Sequence, residues 1–438
     1  MYVTGLSASG TSPFGPIFDY ATIKYSPSGD TLWVRRYNGP GILEDVDKAN
    51  DLVVDGSGNV YVTGTSPDSG TSFDFTTIKY SPSGDTLWVR RYDGPENADD
   101  EASALAVDDS GNLCVTGRSG GFPNYDYATV KYKPNGDTAW VRHYNGPGDS
   151  YDEPYALAVD TSGNVYVTGY TDGGGSFRDY ATIKYAPNGD SLWVRRYNGP
   201  GNHDDVANAL AVHINGNVYV TGYSDGSGSS SDYATIKYAP NGDTLWVRRY
   251  NGPAPVYVYP SGKAFALALD NAGNVYVTGY CFGSGTSWDY TTIKYAPNGD
   301  TLWAIRYNGP GNSSDYAYAL ALDTAGNVYV TGWSEGIGTF ADYATIKYSP
   351  CSAIPGDANA SGTYTLADAI AIFNYVINKP GCSPSPLCWL SGLLCRGDWD
   401  GSTTVTLADA IRGVNYIFNK PGGPWNALPI GACCLAAP

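Results

Sequence analysis

Short runs of alternating apolar and polar residues recur through roughly the first 350 positions, four to a unit. Residues 155 to 197 show one unit in full: YALAVD, GNVYVTGY, DYATIKY and DSLWVRRY. Alternation at period two, with Val, Ile, Thr and Tyr enriched, predicts four short β-strands, designated a to d. On strand b, Val165 and Val167 point to one face and Tyr166 and Thr168 to the other, so both faces of the sheet are partly apolar. Turn residues separate the runs: Ser162, Gly163 and Asn164 between a and b, and Pro187, Asn188, Gly189 and Asp190 between c and d. The b-to-c link, TDGGGSFR in this unit, is longer and varies among copies.

The unit repeats. Its VTG tripeptide ends at Gly5, Gly64, Gly117, Gly169, Gly222, Gly279 and Gly332, spaced by 52 to 59 residues. Four antiparallel strands per period is the pattern of a β-propeller blade, predicting an all-β propeller of about seven four-stranded blades over residues 1–350. Strand a is Ala-rich (Ala156, Ala158), whereas strand d carries Trp193, Arg195, Arg196 and Tyr197. Inner strands crowd and outer strands have room, so a is expected inside and d outside. Strands b and c occur seven times, but a and d only six, with Trp33, Trp88, Trp140, Trp193, Trp246 and Trp303 marking d. Ring closure is therefore expected to be incomplete, with the gap filled by upstream sequence, another segment or another chain. A six-bladed ring closed by residues 31 to 37 is the alternative.

The motifs GNVYVTG, DYATIKY and LWVRRYNGP resemble the seven-bladed SBBP-type β-propeller repeats of bacterial secreted proteins. That resemblance implies fold and location, and fixes no single activity.

After Pro350 the repeat gives way to two related segments, GDANASGTYTLADAIAIFNYVINKPG and GDWDGSTTVTLADAIRGVNYIFNKPG, 41 residues apart. Both resemble the duplicated calcium-loop-plus-helix segments of dockerins. The resemblance implies a small α-helical dockerin-like domain over 351–424, followed by an apolar, Cys-containing tail over 425–438. A calcium loop presents oxygens at positions 1, 3, 5, 7, 9 and 12. In the first loop these are Asp357, Asn359, Ser361, Thr363 through its carbonyl, Thr365 and Asp368. In the second they are Asp398, Asp400, Ser402, Thr404 through its carbonyl, Thr406 and Asp409. Serine at position 5 of both loops lowers the expected affinity, and Thr403 where glycine is normally required predicts weak binding or none at the second. Leu366, Ile370, Phe373 and Ile377 share one helix face, as do Leu407, Ile411, Val414 and Phe418. Dockerins engage cohesins through small polar residues at loop positions 10 and 11. Here those positions hold Leu366 with Ala367 and Leu407 with Ala408, so a cohesin-like partner stands beside a different or internal one.

Composition adds the setting. Six of the eight cysteines (Cys351, Cys382, Cys388, Cys395, Cys433, Cys434) fall in the last 88 residues, which reads as disulfide stapling in an oxidising compartment, with 15 pairings open. Cys114 and Cys281, isolated among the repeats, read as buried thiols. A formal net charge of −17 argues against a nucleic-acid partner. No run of 18 apolar residues predicts a membrane-spanning helix. The chain opens MYVTG where later copies read VYVTG. Met1 thus stands in mid-strand, as expected of a start inside a longer reading frame with an export signal upstream.

Candidate chemistry is sparse. His143, His203 and His213 occupy no common blade position, and His213 replaces the aspartate that ends strand a elsewhere (Asp55, Asp108, Asp160, Asp270, Asp323). Asp47, Asp100, Asp152, Asp205 and Asp315 recur just before strand a, with Gly262 in the sixth copy; they read either as a carboxylate ring able to hold a cation or, better, as turn and backbone caps. Asn312 begins an acceptor sequon for glycosylation. No nucleophile elbow, phosphate loop or metal-binding His pair occurs. The expectation is a non-catalytic extracellular or cell-surface structural protein that binds calcium and self-associates head to tail into polymers or filaments. The alternative is a propeller that binds or degrades polysaccharide, tethered by its dockerin-like segment.

Overall fold

A computed structural model describes residues 1–349 apart from 13–14, 41–45, 68–71, 176, 227–230, 253–261, 284–286 and 339–340. The predicted calcium loops, their helices, the six clustered cysteines and the apolar tail all lie outside the described residues. Every regular element among the described residues is a strand: 26 of them, in seven antiparallel sheets. Five sheets, at 48–92, 100–144, 153–197, 205–250 and 262–307, hold four strands in the order a-b-c-d. The first holds b, c and d (Tyr2–Ser12, Gly15–Tyr25, Thr31–Tyr37), and the seventh a, b and c (Asp315–Leu322, Val328–Glu335, Ala341–Tyr348). The strand arithmetic read from the sequence therefore holds. The six-bladed alternative is not formed, because Thr31–Tyr37 pairs with Gly15–Tyr25 in its own sheet.

The turns form for the reasons their residues suggest. Asp160 accepts hydrogen bonds from the amides of Ser162 and Asn164 and from the Asn164 side chain, while Gly163 adopts φ 78°. The c-to-d turn places Gly189 at φ 90°, a conformation that disfavours any residue with a Cβ.

Register sorts the side chains into two unlike faces. In the fourth sheet Leu157, Val167, Ile183 and Val194 align across the strands, giving an aliphatic face. On the opposite side Tyr166, Lys184 and Trp193 align, with Tyr180 beside Tyr197. The aromatic face of each sheet packs on the aliphatic face of the next. Tyr166, Tyr180 and Trp193 of the fourth sheet meet Val218, Val220, Ala234 and Ile236 of the fifth in one buried cluster. Burying a large apolar side chain is worth roughly 1.5–3 kcal/mol, so these interfaces are the main source of stability. Consecutive a strands lie against one another from the second sheet to the seventh, whereas each d strand is held chiefly by its own c strand. Strand a is thus inner and strand d outer, as the Ala-to-Trp gradient suggests.

Candidate functional site

Each interface between sheets is closed by side chains that reach across to backbone carbonyls. Strand-d tryptophans donate to the proline carbonyl of the next c-to-d turn: Trp33 to Pro82, Trp88 to Pro134, Trp140 to Pro187, Trp193 to Pro240 and Trp246 to Pro297, at 3.0–3.2 Å. Two residues on, arginine Nε donates to a glycine carbonyl of the same turn: Arg35 to Gly84, Arg90 to Gly136, Arg142 to Gly189, Arg195 to Gly242 and Arg248 to Gly299. Strand-c tyrosines reach the next c strand, Tyr20 to Thr76, Tyr180 to Ala234, Tyr233 to Thr291 and Tyr290 to Ala344. Strand-c lysines Lys24, Lys79, Lys184 and Lys237 share the proline carbonyls.

This clamp explains a break in the repeat that the sequence reading passed over. The last d strand reads TLWAIRY, with Ile305 where other copies have arginine. The seventh sheet has no d strand among the described residues, hence no c-to-d turn to receive a guanidinium.

The recurring aspartates before strand a resolve as caps. Asp100, Asp205 and Asp315 accept from the amides of Gly94, Gly199 and Gly309, at 2.5, 2.5 and 2.7 Å, and Asp47 from Gly39 at 3.0 Å. Asp152 holds the Gly146 amide and the Thr171 hydroxyl in the same way. A glycine six residues upstream of four of them was the signal. The carboxyls are buried, and burial pushes Asp100 and Asp205 up to about 6. Asp74, Asp93 and Asp100 bring carboxylate oxygens within 4.8 Å of one another. Arg91 already pairs with Asp74 at 2.8 Å and the Gly94 amide with Asp100, so the cluster has its cationic and donor partners within the chain.

The histidines are scattered, as read. His213 keeps the turn, accepting from the Gly216 amide and donating its own amide to the Asn217 carbonyl. It lines a cavity of about 510 Å³ between the fourth and fifth sheets, with Asp160, Tyr166 and Lys184. His143 stands where other d strands carry a second arginine. Arg91, Arg196, Arg249 and Arg306 pair with Asp74, Asp179, Asp232 and Asp289. His143 instead meets the Tyr92 hydroxyl at 2.9 Å. The corresponding Asp126 is pushed up to about 6 by burial and by Asp152, Asp149 and Glu96. Cys114 and Cys281 are free, buried thiols, pushed up to about 12 by burial. Asn312 is exposed at its loop.

Two regions remain where side chains differ between copies or lack cover. The residue after VTG changes in order through Leu6, Thr65, Arg118, Tyr170, Tyr223, Tyr280 and Trp333. Beside it, the a strands contribute Glu101, then Glu153 and Tyr155, then Lys263 and Phe265, then Tyr316 and Tyr318. In the third sheet these positions hold an Arg118–Glu101 ion pair of 2.5 Å. In the sixth and seventh they hold rings: Tyr280 to Tyr316 at 4.4 Å, Tyr316 to Trp333 at 4.6 Å, and Phe265 to Tyr318 at 5.3 Å. Tyr318 stays 47% exposed. This gradient was not read from the sequence.

The second region is the pair of outer faces. The strand-c tyrosine position is fully buried at Tyr20, Phe75, Tyr127, Tyr180, Tyr233 and Tyr290, yet Tyr343 is 97% exposed. On the first sheet Val3 of the aliphatic face is 47% exposed where its counterpart Val62 is fully buried, and Val34 is 45% exposed where its counterpart Val89 is half-buried.

Four segments, 32–67, 139–177, 192–228 and 303–338, match the family model of the SBBP β-propeller repeat. Each runs from a d strand through the next a strand into b, and so spans the junction between two blades. A WD repeat-containing protein of Acanthamoeba polyphaga mimivirus is 25% identical over 449 residues, covering 87% of this chain. The chain spans 29% of that relative's length. Among solved structures, Sqt1 of Chaetomium thermophilum, determined with the N-terminus of a ribosomal protein, has TM-score 0.44 at 10% identity, over 72% of this chain and 75% of Sqt1. The α-L-arabinofuranosidase Arb93a of Fusarium graminearum has TM-score 0.42 at 11% identity, over 68% of this chain and 91% of its own. A gluconolactonase of Xanthomonas campestris and an ulvan lyase also match, at TM-scores 0.34 and 0.42. The expectation that the chain is not an enzyme is corrected to this extent: enzymes stand among the similar structures, and likeness at these identities says nothing of activity in either direction. Catalytic groups on such sheets come from loops of separate blades, so a missing linear motif does not exclude catalysis.

Proposed function

We propose that the chain is an extracellular or cell-surface assembly protein, a series of blades in which the faces left uncovered among the described residues are completed by association. The C-terminal segment, with its calcium-loop residues, serves as the anchor. The supporting observation is Tyr343, a residue type fully buried at the equivalent position of each earlier tyrosine-bearing sheet and 97% exposed here. Large aromatic surface left in water favours burial in an interface. The cysteine-rich C-terminal sequence supports the oxidising, extracellular setting. Sedimentation velocity and electron microscopy of the full chain, with and without calcium, are expected to show oligomers that grow with concentration. Monomers under all calcium conditions would overturn this reading.

A second reading, polysaccharide binding, is favoured by the aromatic gradient. Tyrosine and tryptophan rings offer an apolar face for sugar C–H groups and a polar edge for hydroxyls. Affinity electrophoresis in plant and algal polysaccharides is expected to retard the full chain, and Tyr318→Ala with Trp333→Ala to abolish the retardation. The same polymers serve as substrates for hydrolase and lyase assays.

A further inference from the structure

The six interfaces inside the chain specify what would fit each uncovered face. Each joins the aromatic face of one sheet to the aliphatic face of the next. The seventh sheet presents an aromatic face, with Tyr343 and Lys347 exposed on strand c. The first sheet presents an aliphatic face, Met1, Val3, Ile23 and Val34, which no blade covers among the described residues. Its strand-c carbonyl at Ala21 and its turn carbonyl at Pro27 hold the sequence positions that receive tyrosine and lysine in the sheets that follow. Additional strands at an edge would widen either sheet without covering its face.

We propose that the seventh sheet of one copy docks on the first sheet of a second copy, repeating the in-chain interface. The Tyr343 hydroxyl then donates to the Ala21 carbonyl and the Lys347 ammonium to the Pro27 carbonyl, while Val3 and Val34 cover the ring. This proposal rests on the assembly reading and names its partner. The contact joins unlike patches, so it propagates into a filament or a larger ring of copies. Among the described residues it lacks the tryptophan and arginine clamps of a d strand, which makes it weaker than the interfaces within the chain.

The test uses two full-length variants, Tyr343→Asp and Val3→Asp, both at exposed positions. Each variant alone is expected to sediment as a monomer at concentrations where the native chain forms oligomers. An equimolar mixture is expected to form dimers and nothing larger, because one sound aromatic face meets one sound aliphatic face and the other two are blocked. Oligomers that persist in both single variants would overturn head-to-tail docking while leaving assembly standing. A native chain that is monomeric throughout would overturn both.

Discussion

Tyr290 and Tyr343 sit at the same place in the same motif, WDYTTIKY and ADYATIKY, and differ only in what lies beyond them. Tyr290 is fully buried and donates to the Ala344 carbonyl at 3.2 Å; Tyr343 is 97% exposed. A repeat therefore encodes half an interface, and the value of each side chain depends on the copy that follows. The second to sixth sheets are stabilised by this reciprocity, and the first and seventh, each with one face uncovered among the described residues, expose it.

The sharpest way to break the comparison is to truncate both residues. Tyr290→Ala is expected to destabilise the chain by about 3–5 kcal/mol, since it empties a packed aromatic site and removes a cross-sheet hydrogen bond. Tyr343→Ala is expected to change stability by less than about 0.5 kcal/mol. Urea unfolding followed by tryptophan fluorescence measures both. Equal losses would mean that Tyr343 is covered in the isolated chain.

A smaller effect follows from the arginine clamp. Arg248→Ile, which gives an interior d strand the residue of the last one, removes the hydrogen bond from Nε to the Gly299 carbonyl at 2.6 Å. It also removes the guanidinium beside the Trp246 ring, 5.6 Å from its centroid. A loss of about 1–3 kcal/mol is expected. Ile305→Arg is expected to recover none of it, because the seventh sheet offers no acceptor turn among the described residues.

The buried caps give a pH signature. Asp100 and Asp205 are raised to about 6 in the folded chain from the ordinary value near 4. The folded state then holds protons that the unfolded state has released. This contribution to stability is full below about pH 4 and is lost as pH rises through about 6. The variant carrying Asp100→Asn and Asp205→Asn keeps one acceptor oxygen at each site for the glycine amide and lacks the titration. Its stability is expected to vary less between pH 4 and 6.5, by on the order of 1 kcal/mol per site.

Much of this architecture was legible in the sequence because repetition multiplies weak signals. Strand order, the inner and outer edges, the turn chemistry of Asp160 with Gly163, and the count of 26 strands follow from period and punctuation. The caps at Asp100 and Asp205 were legible in type, and the upstream glycines would have settled them. Exposure was not legible: Tyr343 carries the same motif as Tyr233, and only the neighbour that each faces distinguishes them. The clustering of Tyr280, Tyr316 and Trp333 was hidden because these positions are 17 to 53 residues apart: Tyr316 and Trp333 face each other across paired strands of the seventh sheet, and Tyr280 reaches them only when the sixth sheet packs on it. The Ile305 substitution was visible, but its meaning required knowing that arginine reaches across to the following turn.

The smallest effect tests whether interior copies are truly alike. The third sheet departs from its neighbours at His143, where Arg91, Arg196, Arg249 and Arg306 elsewhere pair with an aspartate. Burial lowers the His143 pKa, so the ring is neutral near pH 7, while Asp126 is raised to about 6 by burial and surrounding carboxylates. His143→Arg restores the cation that the other sheets use. The Asp126 pKa is expected to fall, and stability at pH 7.5 to rise by about 0.5–1 kcal/mol, the range for a partly exposed pair. The gain should fade below pH 4, where Asp126 is protonated in either chain, and shrink in high salt. Thermal unfolding at pH 4 and 7.5, with and without 1 M NaCl, reads both changes, using about 1.4 kcal/mol per pKa unit for the conversion. A variant no more stable at pH 7.5 than at pH 4, relative to the native chain, would show that Asp126 lies beyond the reach of the new guanidinium and that the third sheet differs from its neighbours in backbone as well as in residue.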